Sequence, residues 1–400
     1  MLTRWRFRID FTPDQTDYAE LIGAACRAVW NTALEQRREY RRRGAWMNYA
    51  PQCRELAEAK VEHTWLSGPP CHCLQQTLMD LDKACKSQGT FNVHWRSSRK
   101  WVPSFRFPEG GKMAIEKLNR RHARVKLPKF GWVKFRLTRS TSGMTVRSAT
   151  LLREGTHWYV SFLLEDGVEM MDSHSAQGGA VGIDRGVNTA IATSGGDLID
   201  RDFVTVGEPR RVVNLQRKLS RAKRGSANRC RARRDLARVL RRERDRRKDF
   251  CAQTASRLAQ ANALVVLEDL NIQKMAKSAK GTIPNPGTNV KRKSELNRAI
   301  MSKGWYQFEK CLRSSARYTG TQIIKVNPAY TSQRCSQCQH VDPKSRESQA
   351  VFRCTNCKHS EHADVNAAKN ILAAGLAVTA CGDFLPLGTS TKQEPAGTRK

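Results

Sequence analysis

The sequence predicts an α/β multidomain chain: a β-rich N-terminal part interrupted by helices, then an α/β part carrying an inserted metal ribbon. Short alternating apolar runs lie on both sides of an N-terminal helical block. Two apolar runs, Ala180–Asp184 and Ala263–Glu268, end abruptly on acids and are separated by a long helical stretch. Cys335-Ser-Gln-Cys338 is followed, after fifteen residues, by Cys354-Thr-Asn-Cys357. Two such pairs have the spacing of a closed tetrahedral Zn²⁺ site, because each CxxC turn offers two sulfurs to one ion.

Composition narrows the class. A chain of 400 residues with 39% hydrophobic residues can bury the cores of two or three domains. Its formal net charge is +34, from 71 Lys and Arg against 37 Asp and Glu. In a folded chain such an excess points to a polyanion, and nucleic acid is the usual one. No apolar run approaches the roughly 18–20 residues that span a bilayer, and the N-terminus lacks a signal-peptide core, so no membrane partner is expected. Thirteen cysteines, an odd number with four assigned to zinc, suit a reducing compartment. The expected setting is the cytoplasm of a prokaryote, associated with the nucleoid.

Leu2–Asp10 alternates, with Trp5, Phe7 and Ile9 on one face and Arg4, Arg6 and Arg8 on the other. The arginines suit either a solvated edge or a phosphate-facing strand. Helices are expected from Asp14 to Arg43 and over 51–63 and 71–86, with Pro69-Pro70 as a breaker. Cys71-His72-Cys73 looks like a ligand cluster, but residues i and i+2 of a helix point apart, which favours packing. From Val93 to Asp166 short alternating runs predict strands, interleaved with His94-Trp95-Arg96, Arg99-Lys100-Trp101 and Phe105-Arg106-Phe107. Such side chains can stack on bases and neutralise phosphates, or they can form an aromatic core with a solvated rim.

A Ser/Gly/Asp-rich link over 167–179 precedes the second part. Ala180–Asp184, Thr189–Thr193 and a run around Leu198–Phe203 predict three strands. Glu208–Ala261 is helical and dominated by Arg, with Val212, Leu215, Leu219, Leu236, Val239, Leu240 and Phe250 as a thin apolar stripe interrupted at Gly225-Ser226. The like-charge repulsion of such helices favours a phosphate backbone over bare solvent as their partner. Residues 276–294 read as a mobile basic loop, followed by a helix over Trp305–Tyr318 and a strand over Gln322–Val326. After Leu372 the Gly/Ala/Thr/Pro-rich composition predicts a disordered tail.

Three acids stand out by context. Asp184 and Glu268 end apolar strands, and Asp364 opens a helix. A carboxylate ending a buried strand is unfavourable unless it has a metal or hydrogen-bond partner. Acids converging from separate elements are what a two-metal phosphodiester hydrolase needs. Hard oxygen ligands suit Mg²⁺ or Mn²⁺, whereas the thiols suit Zn²⁺. Any one of these acids alone could equally be a surface carboxylate or a helix cap.

Taken in order, Gly182-Ile-Asp184-Arg-Gly186, Leu267-Glu268-Asp269-Leu-Asn271, the cysteine pairs and Asp364-Val-Asn366-Ala-Ala-Lys-Asn370-Ile resemble the RuvC-like nuclease of the TnpB family. These are RNA-guided nucleases of small bacterial insertion sequences. The likeness covers about 178–375; it is extended by Val326-Asn-Pro-Ala-Tyr330-Thr-Ser332-Gln-Arg-Cys335 and by the tail from Ala380 to Pro395.

The resemblance implies an RNase H-like RuvC nuclease over 178–375, with a basic helical insertion at 208–261 and a zinc ribbon at 330–360. It also implies a wedge-type β-barrel from 1–10 and 92–170 and a helical recognition lobe over 11–91, while composition leaves 376–400 as a disordered tail. Asp184, Glu268 and Asp364 match the catalytic triad that binds Mg²⁺, and Cys335, Cys338, Cys354 and Cys357 match the zinc ligands. The implied partners are a guide RNA from the element's end and target double-stranded DNA. The rival readings are a compact type V CRISPR effector, a guided DNA-binding protein that does not cut, and a zinc-ribbon DNA-binding module or transposase.

Overall fold

The structure is a computed structural model that describes residues 1–98, 101–169, 171, 173–175, 179–282 and 284–380. Arg99-Lys100, Gly178 and the tail beyond Ala380 lie outside the described residues. The chain divides into two compact units, Met1–Glu169 and Met170–Lys400.

The first unit opens with β1 (Leu2–Arg8), followed by helices α1 (Pro13–Arg42), α2 (Tyr49–Glu62), α3 (Thr64–Ser67) and α4 (Cys71–Gln88). Strands β2 (Ser104–Phe107), β3 (Ile115–Lys117), β4 (His122–Leu127), β5 (Gly131–Arg136), β6 (Thr145–Glu154) and β7 (His157–Glu165) complete it. Thr12 starts α1 with a capping box to Gln15, and Pro13 supplies the preset φ of a first helical turn. β1 lies at the edge of the antiparallel sheet β1-β7-β6-β2, and β3-β4-β5 form a second sheet. Phe7, Phe135 and Phe162 meet between them at centroid distances of 5.2–6.0 Å.

The basic–aromatic runs are largely engaged within the unit. Arg6 pairs with Glu154 and lies 3.9 Å over Tyr159. Arg96 sits between Trp30 at 3.7 Å and Trp101 at 5.1 Å, and burial pushes its pKa down to about 10. Phe105 and Phe107 are core residues. Cys71 is exposed while Cys73 is buried, so the Cys71-His72-Cys73 cluster splits between solvent and packing.

The second unit contains β8 (Ala180–Asp184), β9 (Ile191–Thr193), β10 (Leu198–Ile199), α5 (Glu208–Arg221), α6 (Ala227–Ala261), β11 (Leu264–Glu268), α7 (Ile272–Met275), α8 (Val290–Lys303), α9 (Trp305–Thr319) and β12 (Gln322–Val326). It ends with β13 (Val351–Arg353), β14 (Ser360–His362) and α10 (Ala363–Ala380). The sheet order is β10-β9-β8-β11-β12; β8 to β10 form an antiparallel meander, and β8, β11 and β12 run parallel. Alternate residues of β11 explain its unbroken apolar run. Val265 and Leu267 pack with Phe250, Leu258, Phe308 and Leu312 of α6 and α9, while Val266 packs with Ile371 of α10. Both faces of the strand are therefore buried.

Gly182 and Gly375 make the approach of α10 possible. A Cβ on Gly182 would lie 2.1 Å from the Ala368 carbonyl oxygen, and one on Gly375 would lie 2.4 Å from Val266. Three sequence expectations change. The helix continues to Ala380 rather than giving way to a tail after Leu372, since Gly375 lets another turn lie against β11. The third strand stops at Ile199, and Phe203 instead packs edge-on to Phe250 at 5.4 Å. Residues 290–294 begin α8, and the preceding turn is tied to it: Lys293 Nζ donates to the Met275 carbonyl, and Asn297 Nδ2 to those of Ala276 and Lys277. Of α8 only Ile300 is buried, so its apolar period was too sparse to read. Among the described residues no helix is long and apolar enough to cross a membrane.

Candidate active site and metal ribbon

β8 and β11 are parallel neighbours, paired through Ile183 and Leu267, so the acids that follow, Asp184 and Glu268, emerge at the same sheet edge. Asp364 enters from the first turn of α10, against the turn that follows β8; a Cβ on Gly186 would lie 3.6 Å from its Oδ2. Asp184 is pushed up to about 7, first by burial and then by the charges of Glu268 and Asp364, with Arg346 acting in the opposite sense. Burial also raises Glu268, opposed by the Thr331 hydroxyl and the Arg185 charge. Thr331 Oγ1 donates to Glu268 Oε1 at 2.6 Å. Crowded, partly dry carboxylates of this kind gain from a cation, and an all-oxygen donor set fits Mg²⁺ or Mn²⁺.

The four thiols of Cys335, Cys338, Cys354 and Cys357 lie within 4.8 Å of one another, with two contacts of 3.5 and 3.6 Å. Among the described residues this is the one group of three or more His, Cys, Asp or Glu side chains placed to hold a metal ion. The two cysteine turns repeat one design. Cys335 N–H donates to the His340 carbonyl and Cys354 N–H to that of His359, while Gln339 and Lys358 take positive φ of 62° to close each turn. A backbone N–H at His340 is the main cause that brings Cys338 down to about 6, while Cys335 and Cys357 of the same cluster are pushed up. A tetrathiolate set of this shape fits zinc.

Four further side chains support the acids, three of them by linking ribbon and α10, and the sequence did not single them out for these roles. Arg346, between the cysteine pairs, donates to Asp364 Oδ1 at 3.0 Å. Asn366 accepts from Ser336 N–H at 2.9 Å and donates to the Arg334 carbonyl at 2.8 Å. Asn370 donates to the carbonyls of Thr331 and Arg334 at 3.0 and 2.7 Å. Arg185, which follows Asp184 at the end of β8, is buried and donates to the Glu268 carbonyl at 2.5 Å. The spacing of Asp364, Asn366 and Asn370 along one helix was the available signal. Nothing set Arg346 apart from the many other arginines.

In the basic helical pair, Arg246 holds Glu208 through hydrogen bonds of 2.7 and 3.0 Å and keeps its carboxyl at about 2. Arg229 donates to the carbonyls of Leu219, in the last turn of α5, and of Ala222, which follows it. Most of the other basic side chains, including Arg210, Arg211, Arg217, Arg231, Arg233, Arg234 and Arg242, are exposed.

Three family models match parts of the chain. Residues 163–279 match the IS605 OrfB model described as "Probable transposase", 305–371 match "Cas12f1-like, TNB domain", and 1–45 match the "Helix-turn-helix domain" of the same OrfB type. In the structure, residues 1–45 contain β1 and the single long helix α1. The fold is similar to that of Cas12f1 in its complex with sgRNA and target DNA, with a TM-score of 0.55 at 16% identity over 90% of this chain and 83% of that one. These matches define an α/β protein of the IS605 OrfB class. An Escherichia coli K12 protein named "Putative RNA-guided DNA endonuclease InsQ" is 35% identical over 97% of this chain and 96% of its own length. A Streptomyces pristinaespiralis protein named "Putative RNA-guided DNA endonuclease" is 30% identical over 97% and 96%. The chain belongs to the TnpB family.

Proposed function

We propose that this protein is a transposon-encoded, RNA-guided DNA endonuclease in which Asp184, Glu268 and Asp364 hold two Mg²⁺ or Mn²⁺ ions and Cys335, Cys338, Cys354 and Cys357 hold Zn²⁺. The observation that carries the reading is the meeting of three acids from β8, β11 and α10, where burial first and then the charges of Glu268 and Asp364 push Asp184 up to about 7. The meander followed by two parallel strands supports an RNase H-like RuvC domain over 178–375, with insertions at 208–261 and 330–360. The two sheets and their intervening helices support a wedge-type barrel over 1–10 and 92–170 with a recognition lobe over 11–91. The partners are a guide RNA and target double-stranded DNA, and the setting is the prokaryotic nucleoid.

When bound, the divalent ions lower the pKa of an attacking water and stabilise the leaving oxygen. The chain's own residues prepare that site. Thr331 fixes one Glu268 oxygen, Arg346 fixes Asp364 Oδ1, and Asp184 carries a proton that a cation must displace near neutral pH. The exposed arginines of α5 and α6 offer a face for phosphates.

The Cas12f1 likeness favours a second reading, a compact type V CRISPR effector. Against it, a named Cas12f1 relative from Sulfoacidibacillus thermotolerans matches only 19% of this chain, whereas the two insertion-type relatives match nearly all of it. A non-cutting guided binder is disfavoured by the intact set of three acids. The experiment is to sequence RNA that copurifies with the protein and to assay Mg²⁺-dependent cutting of matching DNA. Protein that carries no RNA and leaves such DNA intact overturns the proposal.

A further inference from the structure

We infer that Glu309 is a positioning residue for cleavage, a carboxylate on α9 that gathers the cations flanking Glu268; the inference rests on the nuclease reading above. Glu309 Oε2 accepts from Arg185 Nη1 at 3.2 Å, and Oε1 accepts from Lys325 Nζ at 2.9 Å and Arg313 Nη2 at 3.0 Å. Each of the first two cations also holds one residue at the end of β11. Arg185 Nη2 donates to the Glu268 carbonyl at 2.5 Å, and Lys325 Nζ reaches Asp269 Oδ1 at 3.1 Å. Glu268 and Asp269 are thus tied, each through a single cation, to the same carboxylate on a different element.

This arrangement lies where β11 keeps its sheet pairing on one side only: the β11–β12 ladder runs on to Glu268 and Val326, and Asp269 N–H donates to the Val326 carbonyl. The β8–β11 ladder ends at Ile183 and Leu267, one residue before Glu268. The Arg185 side chain is fully buried, and a charge so placed is tolerated only when paired. Glu309 supplies the countercharge to a guanidinium whose charge also acts on Glu268. With that charge removed, Glu268 and Asp184 are the remaining carboxylates acting on Arg185, which then competes with a divalent cation for them. Arg313 sits one helical turn from Glu309, at i+4, and stiffens the acid from its own helix.

The test uses the full chain loaded with its guide RNA and compares the parent with Glu309→Gln and Glu309→Asp. Binding of Mn²⁺ is measured by calorimetry and electron paramagnetic resonance, and cutting is followed at saturating Mn²⁺. Glu309→Gln is expected to bind Mn²⁺ about tenfold more weakly or worse and to cut at least tenfold more slowly, the usual scale for a residue that orients ligands. Affinity for matching DNA stays at the parental value. Glu309→Asp keeps the charge, so it is expected to recover Mn²⁺ affinity while still cutting more slowly, because its carboxylate is set back by one methylene. Parental Mn²⁺ affinity and parental cutting in Glu309→Gln overturn the inference. If that variant does not fold, Glu309→Asp decides: slower cutting supports the inference and parental cutting overturns it. Failure of the parent to cut would instead be a failure of the nuclease reading, and the Mn²⁺ comparison still discriminates.

Discussion

Arg346, in the ribbon loop, donates a 3.0 Å hydrogen bond to Oδ1 of Asp364 in the first turn of α10. The contact places a ribbon cation within the acid cluster, where its charge opposes the rise of Asp184. In the absence of metal, Arg346 is therefore part of what makes the crowded carboxylates tolerable.

Arg346→Ala is expected to lower the metal-free Tm by about 2–4 °C, for a part-exposed pair worth about 1 kcal/mol. The rise in Tm on adding Mg²⁺ should be larger in the variant, because the cation then relieves more repulsion. Thermal scans with and without Mg²⁺ read both effects. An identical Mg²⁺-induced rise in the two proteins contradicts the counter-ion role.

Asp184→Ala, Glu268→Ala and Asp364→Ala should each slow cutting by at least about 100-fold, the scale of a lost electrostatic contact to a transition state. Guide and target affinities should stay close to parental, since the acids repel phosphate rather than bind it. Cleavage and filter-binding assays on the same preparations separate the two quantities. Full cutting by Asp184→Ala would remove it from the site.

Asp184 has a folded pKa of about 7, above the ordinary value of 3.8. Its protonated form is therefore favoured by folding. Any stability linked to that proton is fully present below about pH 4 and is lost as pH rises through 7 in the metal-free protein. Metal must displace the same proton, so Mg²⁺ affinity should climb with pH to about 7 and then level off. Calorimetry in two buffers of different ionisation enthalpy should detect release of close to one proton near pH 6 and almost none near pH 8.

Zinc removal should reach the acids through Asn366 and Asn370, which bond the Ser336 amide and the Thr331 and Arg334 carbonyls. Chelation is expected to unfold the ribbon and to abolish cutting with it. Asn366→Ala should lose zinc to a chelator faster than the parent, measured with a colorimetric zinc indicator. Unchanged melting after zinc removal would refute the structural role.

Replacing Arg231, Arg233 and Arg234 with Gln should flatten the log–log salt dependence of nucleic-acid binding by about 1 unit for each side chain that neutralises a phosphate. An unchanged slope would exclude this part of α6 from the nucleic-acid face.

Local patterns made much of the architecture legible. The Thr12–Pro13–Gln15 start of α1, the Gly225-Ser226 break between α5 and α6, and the doubly buried run of β11 are each written in a few consecutive residues. α8 was missed because it buries only Ile300 and draws its remaining support from side chains that cap another turn. The length of α10 was missed because composition after Leu372 does not reveal that Gly375 lies against Val266.

The same division holds at the candidate site. By itself the sequence determined the cysteine spacing, the two acids that end apolar strands and the acid that opens a helix. Those features depend on neighbours close in the chain. Tertiary structure alone decided that Asp184 and Glu268 share one sheet edge, that Arg346 reaches Asp364, and that Arg185 and Lys325 converge on Glu309. These contacts join residues brought together by parallel strand pairing and by α10 packing close over Gly182. Their energies depend on burial and distance, which only the folded chain sets.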